Sequence, residues 1–156
     1  MKISVHSNTS YLSEPKARSW AGGQYFLAKE ETIPQNNGEI LNISHIIKNV
    51  MTSATEAELA TLYIMICEAV YIRIVMEEMG HKHPPTQLQT YNAMLDAVYN
   101  GKIQPKRTKS MEMGFHWLRY REYQKQFRIY WRLGKSNYTD YWNKHHPVTY
   151  HRKTRQ

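Results

Sequence analysis

TQLQTYNAML, residues 86–95, is the stretch on which the fold turns. Gln87 to Thr90 alternates like a strand, and from Asn92 the spacing becomes helical, with Tyr91 at the junction. Pro84-Pro85 stands just before it and closes off a long helical pattern. A strand with a helix on each side belongs to an α/β connection, in which strands run parallel through helical crossovers. Such junctions are where α/β folds place reactive and ligand-binding groups, and a bulky phenol is an unusual occupant.

Upstream, a helix is expected from about Ala54 to Met79. Ser53-Ala-Thr-Glu56 reads as a capping box, Gly80 as a stop, and Leu59, Leu62, Ile66 and Val70 as one apolar stripe. Before that helix come three strands: one at Ile3 to Ser7, a second from Trp20 to Leu27 containing Gly22-Gly23, and a mainly apolar third from Ile40 to Ile47. Turn residues between the second and third suggest an antiparallel meander. Downstream, a short helix from Asn92 to about Asn100, a longer one from about Arg107 to Gln124 and a strand from Gln126 to Leu133 are expected. A last helix capped near Asn137 to Asp140 follows. The order β-β-β-α-β-α-α-β-α predicts an α/β domain, a mixed five-stranded sheet with helices packed on it.

The chain has 156 residues, one domain's worth, with 41% hydrophobic and 22% charged residues. No apolar run reads as a membrane span, and the start lacks the apolar region of a signal peptide. The single cysteine, Cys67, excludes an internal disulfide framework and suits a reducing compartment, so an intracellular site and no membrane partner are expected. Charge is unevenly spread: residues 1–101 carry 7 basic and 10 acidic groups, whereas residues 102–156 carry 14 and 3. Aromatics such as Phe115, Trp117, Tyr120 and Tyr123 interleave with those cations. Cations neutralise phosphates and flat rings stack on bases, so nucleic acid is the expected partner; a solvated basic face over an aromatic core is the plainer alternative.

Only two aspartates, Asp96 and Asp140, stand against eleven glutamates. Two-metal phosphodiester hydrolysis needs several carboxylates around cations about 4 Å apart, and their natural places here are the first strand, the long helix, the end of the fourth strand and the last helix. The sequence resembles the ribonuclease H domain at the C-terminal end of copia-type retrotransposon polyproteins. Carrying the resemblance, in order, are Ser10-Tyr-Leu-Ser-Glu-Pro-Lys-Ala-Arg18, Ser53-Ala-Thr-Glu-Ala-Glu-Leu59, Pro84-Pro-Thr86, Lys106-Arg-Thr-Lys109, Phe115-His-Trp-Leu-Arg119 and Asp140-Tyr-Trp-Asn-Lys-His-His146. It implies a ribonuclease H-like fold over residues 1–147, with residues 148–156 a basic tail expected to fray.

The resemblance also implies Mg²⁺- or Mn²⁺-dependent cleavage of the RNA strand of RNA/DNA hybrids, in partnership with a reverse transcriptase domain of a longer polyprotein. Of the family's four acidic ligands, Glu58 and Asp140 remain, while Asn8 and Tyr91 stand where aspartates are expected. Loss of two carboxylates implies a weak or absent metal site and an inactive domain. The alternative is a non-catalytic nucleic-acid-binding module. Lys106, Arg107 and Lys109 are the expected phosphate contacts, with Arg119 beside them. The duller readings are that Glu56 and Asp140 only cap helices, that Glu58 is solvated, and that His81, His83, His145 and His146 are plain surface histidines.

Overall fold

The computed structural model describes residues 2–29, 38–93, 109–132 and 139–154. Five strands form one sheet in the order β3-β2-β1-β4-β5. They are β1 (Lys2–Glu14), β2 (Arg18–Ala28), β3 (Glu39–Ile47), β4 (Thr86–Thr90) and β5 (Phe127–Trp131). The first three pair antiparallel, and β4 joins β1, and β5 joins β4, in parallel. The mixed sheet predicted from the element order is therefore present. The helices are α1 (Ala54–Glu78), α2 (Lys109–Tyr123), α3 (Asp140–Asn143) and α4 (Val148–Thr154). The helix expected from Asn92 to Asn100 falls, beyond Ala93, outside the described residues.

Alternation along the strands gives the sheet two unlike faces. Ile3, Val5, Tyr25, Leu88, Phe127 and Ile129 are buried on the face that meets α1, where Leu59, Leu62, Met65, Ile66 and Ala69 complete the core. Each such large apolar side chain contributes roughly 1.5–3 kcal/mol on burial. The other face is polar and also buried, with Ser4, His6, Asn8, Gln24 and Gln89 each under 7% exposed. Helix α1 has an 18-residue window of mean hydropathy 1.8, which by length and composition alone suffices to cross a bilayer. The expectation that no apolar run would qualify is thus corrected. In this fold the stripe is spent on the sheet, and α1 still carries Glu56, Glu58, Arg73, Glu77 and Glu78.

Ser53 caps α1, its hydroxyl accepting from the Glu56 N–H at 3.1 Å. The Glu56 carboxylate reaches back one residue further than a standard capping box, to the N–H and hydroxyl of Thr52 at 2.7 and 2.6 Å. At the other end Arg73 donates to Pro84 O and Thr86 Oγ1, at 2.8 and 3.0 Å, and so ties α1 to the start of β4. Gly23 lies directly beneath Met65; a Cβ there would meet Sδ at 2.0 Å, so the glycine permits the approach of α1 to the sheet.

Strand β3 reads as apolar but forms the edge of the sheet, and most of it is exposed. A strand is expected up to Leu133, but β5 ends at Trp131, with Leu133 outside the described residues. After Pro147 the chain forms the helix α4 where a frayed tail is expected. Stacking of His146 on Tyr150, with ring centres 4.2 Å apart, holds its first turn against α3.

Candidate active site

The site lies at the C-terminal end of β4 and beside it on β1, over the polar face of the sheet. Parallel pairing sets His6 opposite Gln89. Tyr91 follows directly on the end of β4, and Asn8 lies two residues beyond His6 on β1. Strand β4 ends because Thr90 Oγ1 accepts from the Asn92 N–H at 3.3 Å, turning the chain at once. The Tyr91 carbonyl accepts from Trp131 Nε1 at 3.3 Å, fixing the junction to β5.

Helix α3 is delivered to the same place by three contacts with β2 and β3. Thr139 Oγ1 donates to Gln24 Oε1 at 3.1 Å, and Ser44 Oγ donates to the Trp142 carbonyl at 2.7 Å. Gly22, bare of a side chain, lets Asn143 lie against the strand; a Cβ on it would stand 3.1 Å from Asn143 Cβ. His146 adds a fourth restraint from behind, its Nε2 bonded to the Asp140 carbonyl at 2.7 Å.

These restraints bring two of the four predicted ligand positions, Asn8 and Asp140, into contact, and the charge of Asp140 reaches the other two, Glu58 and Tyr91. Asn8 Nδ2 donates to Asp140 Oδ1 and, at 3.4 Å, to Asn143 Oδ1. Lys144 Nζ forms an ion pair with the same Asp140 Oδ1 at 2.8 Å, one helical turn on. Glu58, on α1, is 8% exposed and its Oε2 is buried without a hydrogen-bond partner. Burial pushes its carboxyl up to about 7; bonds from Thr9 and the charge of Lys144 pull the other way, and the charge of Asp140 adds to the rise. Burial likewise raises the Tyr91 phenol, with Tyr130 and Asp140 contributing to the rise and Arg132 opposing it. The Tyr91 hydroxyl is buried, and a hydrogen bond with the Gln89 side chain opposes the rise. It is neutral across the physiological range.

A divalent cation does not fit this donor set. Mg²⁺ demands near-octahedral oxygen ligands and yields its waters reluctantly. Here one oxygen of Asp140 already faces an amide N–H and an ammonium, Asn8 presents its NH₂ rather than its carbonyl to that carboxylate, and Tyr91 offers only a neutral phenol. No group of three or more His, Cys, Asp or Glu able to hold a metal exists among the described residues.

Of the expected phosphate contacts, Lys106 and Arg107 lie outside the described residues, and Lys109 opens α2. Arg119 is exposed, its guanidinium 5.6 Å from the centre of the Phe115 ring. Arg121 sits 4.9 Å over Trp117. Asp96 is outside the described residues. Glu56 caps, as the duller reading has it, but Asp140 is held in the site and Glu58 is buried rather than solvated. His81 and His145 are exposed, as the plain surface reading has it, whereas His146 holds α3 and both ring nitrogens of His83 are buried without partners. Sequence reasoning missed Lys144; its i+4 spacing from Asp140 was the available signal.

No family model and no curated protein sequence matches the chain. Solved structures do. LC11-RNase H1, solved in complex with an RNA/DNA hybrid, aligns at 12% identity and TM-score 0.63, over 91% of this chain and 94% of that one. The N-terminal RNase H domain of rv2228c from Mycobacterium tuberculosis aligns at 13% and 0.61, over 91% and 90%. RNase H1 from the halophilic archaeon Halobacterium salinarum NRC-1 aligns at 11% and 0.62, over 92% and 95%. At such identities the likeness speaks for the fold alone. The chain has a ribonuclease H-like fold.

Proposed function

We propose that the chain is a ribonuclease H-like domain of copia-type retroelement descent that engages RNA/DNA hybrid without cleaving it. The observation that carries the loss of cleavage is the occupation of Asp140 Oδ1 by Asn8 and Lys144, with a phenol at the third ligand position. With two carboxylates instead of four, nothing gathers a metal pair around the scissile phosphate. Descent from a copia-type element rests on the six ordered sequence segments, and a reverse transcriptase domain in a longer polyprotein is the corresponding partner. The hybrid as ligand class is supported by the neighbour solved with one.

A second reading, a nucleic-acid-binding module acting through the basic C-terminal third, is favoured by exposed Arg119, Lys144, Arg152 and Lys153 among exposed Tyr120 and Tyr123. Both readings are tested by incubating the protein with end-labelled hybrid in Mg²⁺ or Mn²⁺. Salt-sensitive binding with an intact RNA strand is expected. A shortened RNA strand refutes the loss of cleavage, and absence of binding at low salt refutes the nucleic-acid partner.

A further inference from the structure

We propose that Lys144 is a metal-independent contact for a backbone phosphate of bound nucleic acid, held ready on Asp140. The inference rests on the nucleic-acid reading above and says which group does the binding at the former metal position. In two-metal hydrolysis a cation bridges a carboxylate and the substrate phosphate. Lys144 Nζ stands 2.8 Å from Asp140 Oδ1 and brings a positive charge to that same carboxylate. An ammonium has three donors and no octahedral requirement, so it can hold the carboxylate with one and a phosphate oxygen with another. The ammonium is also accessible to a ligand. The Lys144 side chain is 44% exposed and that of Asp140 28%, so the pair lies at the rim of the site rather than under it.

The surroundings agree. The Asn8 amide, from β1, steadies Asp140, and the Lys144 side chain is the more exposed partner of the ion pair. Exposed Arg132, whose backbone N–H donates to Thr90 O at 3.1 Å, adds a second cation whose field reaches Tyr91. Glu58, the other carboxylate, is buried, which reduces the repulsion a phosphate would meet.

The test is anisotropy of a fluorescent RNA/DNA hybrid in EDTA, between about 50 and 200 mM salt. Wild type, Lys144→Met and Lys144→Arg are compared, with Lys82→Met, in the loop after α1, as a control. Lys144→Met is expected to bind more weakly and to lower the slope of log K against log[salt] by about one. Lys144→Arg and Lys82→Met should keep the wild-type slope, and replacing EDTA with Mn²⁺ should leave wild-type affinity unchanged. Urea melts of each variant separate lost contact from lost folding. Folded Lys144→Met that binds hybrid with the wild-type slope overturns the proposal, as does a large gain in wild-type affinity with Mn²⁺. A wild type that binds no hybrid at all is a different outcome, and overturns the nucleic-acid reading along with it.

Discussion

Replacing Glu58 with glutamine should make the folded protein more stable at neutral and alkaline pH, with little gain in acid. Glu58 is 8% exposed, and burial lifts its carboxyl from the ordinary 4.5 to about 7. In the folded chain the neutral acid is favoured; in the unfolded chain the group ionises freely. Its contribution to stability is therefore fully present below about pH 4.5, and is lost as pH rises through about 7. At 1.36 kcal/mol for each tenfold change in proton affinity, the whole loss is about 3 kcal/mol. His6 works in the opposite sense, because burial, aided by the charge of Arg132, lowers its imidazole from 6.5 to about 4. Its stabilising effect is lost as pH falls from about 6.5 to 4, so the two slopes oppose one another in wild type.

Glu58→Gln removes one slope and leaves the other. Urea melts of the two proteins should show an offset that is constant below about pH 4.5 and widens by about 3 kcal/mol up to pH 8. With m-values of about 1–3 kcal/mol/M, that is a change in midpoint difference of about 1–3 M. Stability curves that stay parallel across the whole range would refute the burial of an ionisable Glu58 and, with it, the placement of α1 at the site.

Ser53→Ala removes the cap of α1 and should lower stability by about 1 kcal/mol, read as a fall in urea midpoint with an unchanged m-value. Gly23→Ala presses a methyl group onto fully buried Met65 and should cost about 1–3 kcal/mol, measured in the same way. The double substitution Asn8→Asp with Tyr91→Asp supplies four carboxylates at the four proposed positions. Without metal it should melt below wild type, through like-charge repulsion, and it should regain stability in proportion to ln(1 + [Mn²⁺]/Kd) on titration. A melting temperature indifferent to Mn²⁺ would count against the assignment of those two positions.

The element order was legible because local signals agreed with one another. Ser53, Gly80 and the Pro84-Pro85 pair mark the ends of α1 and the approach to β4, and alternation marks β4 itself. The meeting of Asn8 with Asp140 was legible only through the family resemblance. Nothing local in the chain says that Thr139 will find Gln24, or that Gly22 will leave room for Asn143. The exposure of β3 was hidden for a related reason: its five isoleucine and leucine residues outweigh Asn42, Ser44 and His45 in the reading, and none of them reveals whether another strand pairs beyond it. Composition also misled at α1, whose apolar length satisfies a membrane span and a sheet-covering helix equally. After Pro147, the basic composition suggested fraying, whereas the His146–Tyr150 stack and the bond from His151 Nε2 to the His146 carbonyl at 3.2 Å hold α4.

The central claim is that Asp140 is satisfied by the protein's own amide and ammonium and holds no metal. Calorimetric titration of Mn²⁺ into the wild-type protein tests it most directly. No saturable heat is expected at concentrations where the Asn8→Asp/Tyr91→Asp protein gives a binding isotherm. A saturable site in the wild type, lost on Asp140→Asn, would contradict the account.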